Sequence, residues 1–172
     1  SYANPILAYG VERFAADAAE AGADGLIVPD LPPEEAAAIE QACVAHDLAL
    51  IYLAAPTTTP GRLAEIARRT TGFLYLVSLT GVTGERTALP ADLATFVQRA
   101  RNVAHTPLAV GFGISNPEHA RLVGELADGV IVGSALIKVV AQAADPVRAA
   151  HDFVGCLRGA LAVAGEHTPC SS

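Results

Sequence analysis

The chain has 172 residues, of which 52% are hydrophobic, 17% charged and 5% aromatic. This apolar content excludes an intrinsically disordered chain and is enough to bury one sizeable core. The scarcity of aromatic residues favours an α/β interior over an all-β sandwich. The formal net charge of −7 argues against a nucleic-acid-binding protein, because such a protein needs a basic stripe.

Helices and strands are predicted to alternate along the whole sequence. Residues 1–5 are typical of the end of a strand, and the apolar spacing predicts a helix over 11–21. The elements predicted after this helix are, in order, a strand at 25–28, a helix at 32–46, a strand at 48–53, a helix at 60–69, a strand at 73–77, a helix from Pro90, a strand at 108–110, a helix from Pro117, a strand at 130–132 and a helix at 147–164. Asn116 and Asp145 are the predicted caps of the last two helices, each followed by a proline at the first helical position.

Strands that are continuous apolar runs between helices predict a parallel sheet covered on both faces. A weak repeat between 23–28 and 127–132 supports a (β/α)8 barrel, although shared strand-entry chemistry explains the repeat equally well. Such a barrel takes roughly 250 residues, and we find only about five strands. We therefore expect 1–165 to be the C-terminal part of one barrel domain and 166–172 to be a flexible tail. An open doubly wound sheet, complete in itself, is the alternative.

Two small-residue segments, each lying just past an apolar run, predict a phosphate site. They are Gly111-Phe112-Gly113-Ile114-Ser115 and Gly133-Ser134. In (β/α)8 barrels the loops after the last two strands and a short helix N-terminus commonly hold a substrate phosphate, because small residues let backbone N–H groups reach its oxygens. Plain strand-to-helix turns are the alternative.

The sequence contains no motif for a metal site, a dinucleotide cofactor, a disulfide framework, a membrane span or a signal peptide. The five histidines lack metal-ligand spacing and no dinucleotide fingerprint is present, so we expect no metal and no dinucleotide cofactor. Three cysteines without a CxxC pair favour reduced thiols. With no apolar run of roughly 18 residues and no signal peptide, we expect a cytoplasmic protein.

Five motifs come in the order, and near the spacing, of one enzyme family. They are Tyr2-Ala3-Asn4-Pro5, Val28-Pro29-Asp30-Leu31-Pro32, Tyr75-Leu76-Val77-Ser78 with Gly81-Val82-Thr83-Gly84, Gly111-Phe112-Gly113-Ile114-Ser115, and Gly133-Ser134-Ala135. Over nearly its whole length the chain resembles the tryptophan synthase α subunit. The Gly-Val-Thr-Gly loop after a tyrosine-containing strand is the most specific motif, since many phosphate-binding barrels share the other glycines.

The resemblance implies a retro-aldol lyase that cleaves indole-3-glycerol phosphate to indole and glyceraldehyde 3-phosphate without a cofactor of its own. It also implies a β subunit, which carries pyridoxal phosphate, as the partner in an αββα heterotetramer. In the family a Glu and an Asp transfer the protons, and both correspond to positions upstream of Ser1. We therefore expect this chain to lack them, and losing positioned acid and base groups removes orders of magnitude of rate.

The resemblance also assigns roles to individual residues. Tyr75 and Thr83 support catalysis beside the substrate, with a core tyrosine and an ordinary surface turn as the alternatives. The implied indole pocket consists of Phe112, Ile27 and Leu53, of which the two aliphatic residues fit generic barrel core equally well. The implied phosphate contacts are Gly81, Gly111, Gly113, Gly133 and Ser134. The implied partner contacts are Asn4 and Asp30.

Asp30 has two further interpretations, because it follows a strand on the side where barrel active sites lie. It is a candidate acid or base, and it is equally a candidate to cap a turn. Three function classes stay open from the sequence: an α-subunit lyase fragment, a stand-alone indole-3-glycerol phosphate lyase that needs no partner, and a non-catalytic module that binds phosphate or regulates a partner.

Overall fold

The structure is a computed structural model that describes residues 1–77, 92–111 and 113–162. Within these residues eight α-helices and six strand segments form. The helices are α1 (Ala3–Tyr9), α2 (Val11–Glu20), α3 (Ala37–Ala45), α4 (Pro60–Arg69), α5 (Leu93–Arg101), α6 (Pro117–Gly124), α7 (Ser134–Gln142) and α8 (Pro146–Ala162), and a short 3-10 helix at Pro33–Glu35 precedes α3. The strands are β1 (Gly25–Ile27), β2 (Ala49–Ile51), β3 (Leu53–Ala54), β4 (Leu74–Val77), β5 (Leu108–Gly111) and β6 (Gly129–Ile131).

All the strand pairs are parallel and join strands that are neighbours in sequence. β1 pairs with β2, and β3, β4, β5 and β6 follow one another in order. Since β2 and β3 lie in one extended run, the described residues contain five β/α units, as the sequence predicted. The strand order never reverses, which argues against the doubly wound alternative.

Two threonines explain why the run from β2 to β3 is interrupted at Tyr52. The hydroxyl of Thr71 accepts a hydrogen bond from the backbone N–H of Leu50 at 2.8 Å, and that of Thr70 accepts one from Tyr52 at 3.1 Å. At these positions the threonine hydroxyls take the place of main-chain carbonyl oxygens of a neighbouring strand, because β4 begins only at Leu74. The sequence predicted one strand here because a side-chain acceptor cannot be read from an apolar run.

The sheet has two different faces. Side chains on the helix-covered face are fully buried, among them Leu50, Leu74, Leu76, Leu108 and Val110. Since successive side chains of a strand alternate between the faces, the residues between them lie on the opposite face, which we call the inner face. Most of these are only half-buried; they include Ile27, Leu53, Tyr75, Val77, Ala109, Gly111 and Ile131.

The helix starts predicted at Pro60, Pro117 and Pro146 are confirmed. The start predicted at 32 is wrong, because Pro33–Glu35 forms a separate 3-10 helix and α3 begins at Ala37. Asn116 Oδ1 accepts a hydrogen bond from the N–H of His119, and Asp145 Oδ1 accepts one from Arg148. However, the predicted strand end at 1–5 was wrong, because α1 begins at Ala3. Pro5 fits there since the first-turn N–H groups of a helix have no intrahelical partner.

The cysteine prediction was wrong in part. Cys43 is a buried free thiol, but Cys156 is disulfide-bonded. In the described ranges, no helix combines the length and the apolar character needed to cross a membrane. The predicted helix start at Pro90 and the predicted tail at 166–172 lie outside the described residues.

Candidate functional site

Because the strands are parallel, their carboxyl ends lie along one edge of the sheet. This edge carries Asp30 after β1, residues 55–59 after β3, Gly113 after β5 and Gly133 after β6. The register of β5 and β6 pairs Gly111 with Ile131. Gly113 and Gly133 therefore each follow a paired position by two residues, on neighbouring strands, so the two predicted phosphate segments share one part of the edge.

Tyr75 lies in a row of inner-face residues that crosses four strands. Leu53 pairs with Tyr75, Tyr75 with Ala109, and Ala109 with Gly129. On the side of β5 and β6 the row continues with two small residues, Ala109 and Gly129. Burial raises the pKa of the Tyr75 phenol, so at neutral pH the hydroxyl is protonated and can donate a hydrogen bond.

Gly111 is needed because the Tyr75 side chain lies against it. A Cβ atom on Gly111 would lie 2.6 Å from Cζ of Tyr75, and closer still to Cε2 and the phenol oxygen. Real Cβ atoms do not make such contacts, so the Tyr75 ring can occupy this position only because residue 111 has no side chain. The sequence assigned Gly111 to phosphate binding, and this packing role could not be found from a Gly-x-Gly motif.

The segment at Gly133 forms the start of helix α7, and the first turn of this helix has no carboxylate that would compete with a bound phosphate. Gly133 is the N-cap of α7, Ser134 is its first residue, both are exposed, and no acidic side chain lies in the first turn. The first N–H groups of a helix are free to bind an acceptor. Gly113 is also exposed and has a φ of +27°, a backbone conformation that favours glycine.

The start of α6 differs from that of α7 in that its own side chains supply the acceptor and the negative charge. Asn116 Oδ1 already binds the N–H of His119, and Glu118 lies in the first turn. A carboxylate at this point occupies the positive end of the helix dipole and repels a second anion. Of these two helix starts, that of α7 is therefore the better place for a phosphate.

Asp30 is connected to the first helix. Its Oδ1 accepts a hydrogen bond from the backbone N–H of Ala3 at 2.9 Å, which satisfies one of the free donors at the start of α1. Asn4, the next residue of α1, is exposed, as is Asp30. The carboxylate thus caps the distant helix α1, whereas one of the sequence interpretations expected it to cap its own local turn. The structure brings Asn4 and Asp30 together on one surface.

A cleft of about 590 Å³ opens beside Asp30 at the carboxyl edge, and we call it the edge cleft. One wall is residues 28–33, and the other is formed by Leu53, by residues 57–59 and by Arg62. Arg62 forms an ion pair with Glu34 and a second, at 3.7 Å, with Glu65. Sequence analysis missed Arg62 and the threonines, because neither a Thr-Thr-Thr-Pro loop nor a single arginine in the first turn of α4 forms a recognisable motif.

Of the remaining predicted site residues, one is described by the structure and three are not. Ile27 is half-buried at the end of β1, where it pairs with Ile51 rather than with Leu53. Gly81, Thr83 and Phe112 lie outside the described residues. Across residues 1–77, 92–111 and 113–162, no group of three or more His, Cys, Asp or Glu side chains could hold a metal ion.

Comparison with known proteins gives a consistent result. The family model "Tryptophan synthase alpha chain" matches residues 1–164. The chain is 54% identical over 160 residues to the tryptophan synthase alpha chain of Roseiflexus sp. (strain RS-1), covering 92% of this chain and 61% of that one. It is 47% identical over 162 residues to the Geobacter sulfurreducens protein of the same name, covering 93% and 61%.

Solved structures agree with the sequence comparison. A Legionella pneumophila tryptophan synthase alpha chain superimposes with a TM-score of 0.85 at 40% identity, covering 96% of this chain and 62% of that one. A Mycobacterium tuberculosis tryptophan synthase gives a TM-score of 0.84 at 40% identity, covering 93% and 60%. The predicted α/β barrel architecture is therefore confirmed, and the chain spans about three fifths of the length of the relatives it matches.

Proposed function

Because the chain belongs to the tryptophan synthase alpha chain family, we propose that it serves the cleavage of indole-3-glycerol phosphate to indole and glyceraldehyde 3-phosphate. Its own part is to hold the substrate, by its phosphate at one end and its indole ring at the other. The observation that carries this proposal is that the Gly113 and Gly133 segments follow β5 and β6 at one common edge, while Tyr75 lies on β4, the strand next to β5.

The phosphate end of the substrate binds to backbone N–H groups. Gly113, Gly133 and Ser134 supply the amides, the start of α7 adds its dipole, and Gly111 and Gly81 complete the proposed set. Oriented amides and a helix N-terminus provide positive potential for a dianion, so the proposed set needs no cationic side chain. This explains how a chain with a net charge of −7 can bind an anionic substrate.

The indole end of the substrate lies against the apolar inner face. Leu53, Ile27 and Phe112 form the proposed pocket, in which a flat ring replaces water. The protonated hydroxyl of Tyr75 is a hydrogen-bond donor beside the ring, and Thr83 supports the catalytic groups. Cleavage needs one group that protonates the indole carbon and another that removes the proton of the side-chain hydroxyl. Tyr75 and Thr83 do neither, and no cofactor of this chain takes part.

The partner in this proposal is a tryptophan synthase β subunit, which carries pyridoxal phosphate and receives the indole in an αββα assembly. Asn4 and Asp30 are the proposed contacts with it. The support is that both residues are exposed and that the hydrogen bond from Ala3 to Asp30 holds them on one surface. We also propose a cytoplasmic location, as expected for an enzyme of amino-acid biosynthesis.

An assay for indole tests the catalytic part of this proposal. We expect the 172-residue chain to form no detectable indole from indole-3-glycerol phosphate, because among the described residues neither Tyr75 nor Asp30 is hydrogen-bonded to a second proton-transferring side chain. A full-length relative, assayed in parallel, should form indole and should be accelerated by its β chain. If instead the chain turns over at a rate comparable to the relative, and Asp30→Asn abolishes this, Asp30 is the catalytic acid and the proposal is wrong.

The same assay separates the other two function classes. Turnover that the β chain does not change would identify a stand-alone lyase. Binding of glycerol phosphate without turnover, in a chain that also fails to bind a β chain, would identify a non-catalytic phosphate-binding module. The proposal requires phosphate binding and β-chain binding together.

A further inference from the structure

The turn that forms one wall of the edge cleft is closed by its own residues. The N–H of Thr58 donates to the carbonyl oxygen of Ala55 at 2.8 Å, and the N–H of Ala55 donates to Thr58 Oγ1 at 2.9 Å. We call residues 55–58 the threonine turn. It presents Thr57 and Thr58 to the cleft, opposite the wall that carries Asp30.

An arginine from a different β/α unit holds this turn from outside. Nη1 of Arg99 donates to the carbonyl oxygen of Pro56 at 3.3 Å, and Nη2 donates to that of Thr58 at 2.7 Å. Arg99 lies on α5, more than 40 residues further along the chain. The planar fork of a guanidinium can bond two carbonyls at once, which the single ammonium of a lysine does less well.

The partners of Arg99 are unusual for a half-buried arginine. Among the described residues no carboxylate lies within ion-pair distance of it, and it donates hydrogen bonds to two main-chain oxygens of the threonine turn. Arg101, on the same helix, instead binds the Asp128 carboxylate at 3.0 Å and the carbonyl oxygen of Leu126. The two arginines of α5 therefore fix different parts of the fold.

We propose that Arg99 is a positioning residue for the partner contact, holding the threonine turn in the shape that faces Asp30 across the edge cleft. The inference rests on the proposed function for the identity of the partner. A turn that is already ordered loses less conformational entropy when a partner docks on it. Arg99 acts through this turn and does not itself reach the cleft lining.

Amide exchange and binding of a β chain, measured on the whole chain, test the inference. The variants are Arg99→Ala, Arg99→Lys and the matched control Arg101→Ala. In Arg99→Ala we expect the amides of Ala55 and Thr58 to exchange about tenfold faster, and the dissociation constant for a tryptophan synthase β chain to rise about tenfold. Arg99→Lys should restore part of both effects. Arg101→Ala should lower the melting temperature but change both quantities by less than about twofold.

The experiment distinguishes failure of the Arg99 inference from failure of the proposed function. Unchanged exchange at Ala55 and Thr58 in Arg99→Ala, or an equal change in Arg101→Ala, overturns the inference. Faster exchange with unchanged β-chain affinity also overturns it, because the turn would then have no part in docking. If the wild-type chain does not bind a β chain, the proposed function is contradicted, and the exchange data still decide whether Arg99 orders the turn.

Discussion

At the residue scale, the Tyr75 ring depends on the missing side chain of Gly111. We expect Gly111→Ala to lower the free energy of unfolding by about 1–3 kcal/mol, because the new methyl group overpacks against the ring. Gly129→Ala is the matched control: on the neighbouring strand, its Cβ would make an ordinary 3.8 Å contact with Ala109. Urea unfolding measures both variants.

A double-mutant cycle shows whether the Tyr75 ring is the cause. In a Tyr75→Ala background, Gly111→Ala should cost much less, so the coupling between the two positions should be of the order of 1 kcal/mol or more. Equal costs with and without the Tyr75 ring, or a cost at Gly129 as large as that at Gly111, would contradict this account of the pair.

Replacing two threonines that have buried hydroxyls should change the free energy of unfolding in different ways. Thr70 Oγ1 accepts from the N–H of Tyr52 and donates to the carbonyl oxygen of Phe73, whereas Thr106 Oγ1 is buried without a hydrogen-bond partner among the described residues. Thr70→Val should lower the free energy of unfolding by about 1–3 kcal/mol because it leaves a buried N–H unpaired. Thr106→Val should be neutral or stabilising. Thermal unfolding compares the two variants, and a large loss of stability in Thr106→Val would contradict the assignment of Thr106 Oγ1 as unpaired.

At the element scale, Asp128 joins β5, α5 and the entry to β6. Its carboxylate accepts a hydrogen bond from the N–H of Leu108 at 2.8 Å and pairs with Arg101 at 3.0 Å. The Leu108 N–H and, more weakly, the Arg101 guanidinium hold the pKa of Asp128 below its usual value. The carboxylate therefore stabilises the fold above its unfolded-state pKa of about 3.9, and this contribution is lost as the pH falls through the lower folded-state value.

Asp128→Asn should therefore have an effect that depends on pH. At pH 7 we expect it to lower the free energy of unfolding by about 1 kcal/mol, a modest figure because the ion pair is partly exposed. Near pH 3 the difference between the variant and the wild type should shrink, since protonation removes the same charge from the wild type. A difference that stays constant from pH 7 to pH 3 in urea unfolding would exclude this role of the Asp128 charge.

Elements were predicted from the sequence wherever their signals were local. The caps Asn116 and Asp145 and the helix Pro60–Arg69 follow from residue type and spacing, and the structure confirms them. Helix α1 was missed because its first free donor is satisfied by Asp30, 27 residues away in the chain. The break at Tyr52 was missed for the same reason, since its cause is a hydroxyl from residue 70.

At the scale of the whole molecule, parallel strand order made much of the site predictable. Apolar runs alternating with helices imply one carboxyl edge, so residues that follow strands meet there, as Gly113 and Gly133 do. The Arg99 contact and the Tyr75–Gly111 packing could not be predicted. Both depend on side-chain reach between elements, for which a single sequence carries no signal.

In the proposed function, Gly113, Gly133 and Ser134 together hold the substrate phosphate. An NMR titration of the chain with glycerol phosphate tests it most directly. Two variants remove the site in different ways: Gly113→Val blocks one side, and Ser134→Glu places a competing anion at the start of α7, where a carboxylate also stabilises the helix. Gly61→Ala is the control, because a Cβ there meets no atom within 4 Å.

We expect glycerol phosphate to shift the amide signals of Gly113, Gly133 and Ser134 in the wild type and in Gly61→Ala. We expect no saturable binding in Gly113→Val or Ser134→Glu, both of which should keep the folded spectrum elsewhere. Glycerol phosphate affinity that is unchanged in both folded variants would contradict the phosphate site and, with it, the proposed way in which this chain holds its substrate.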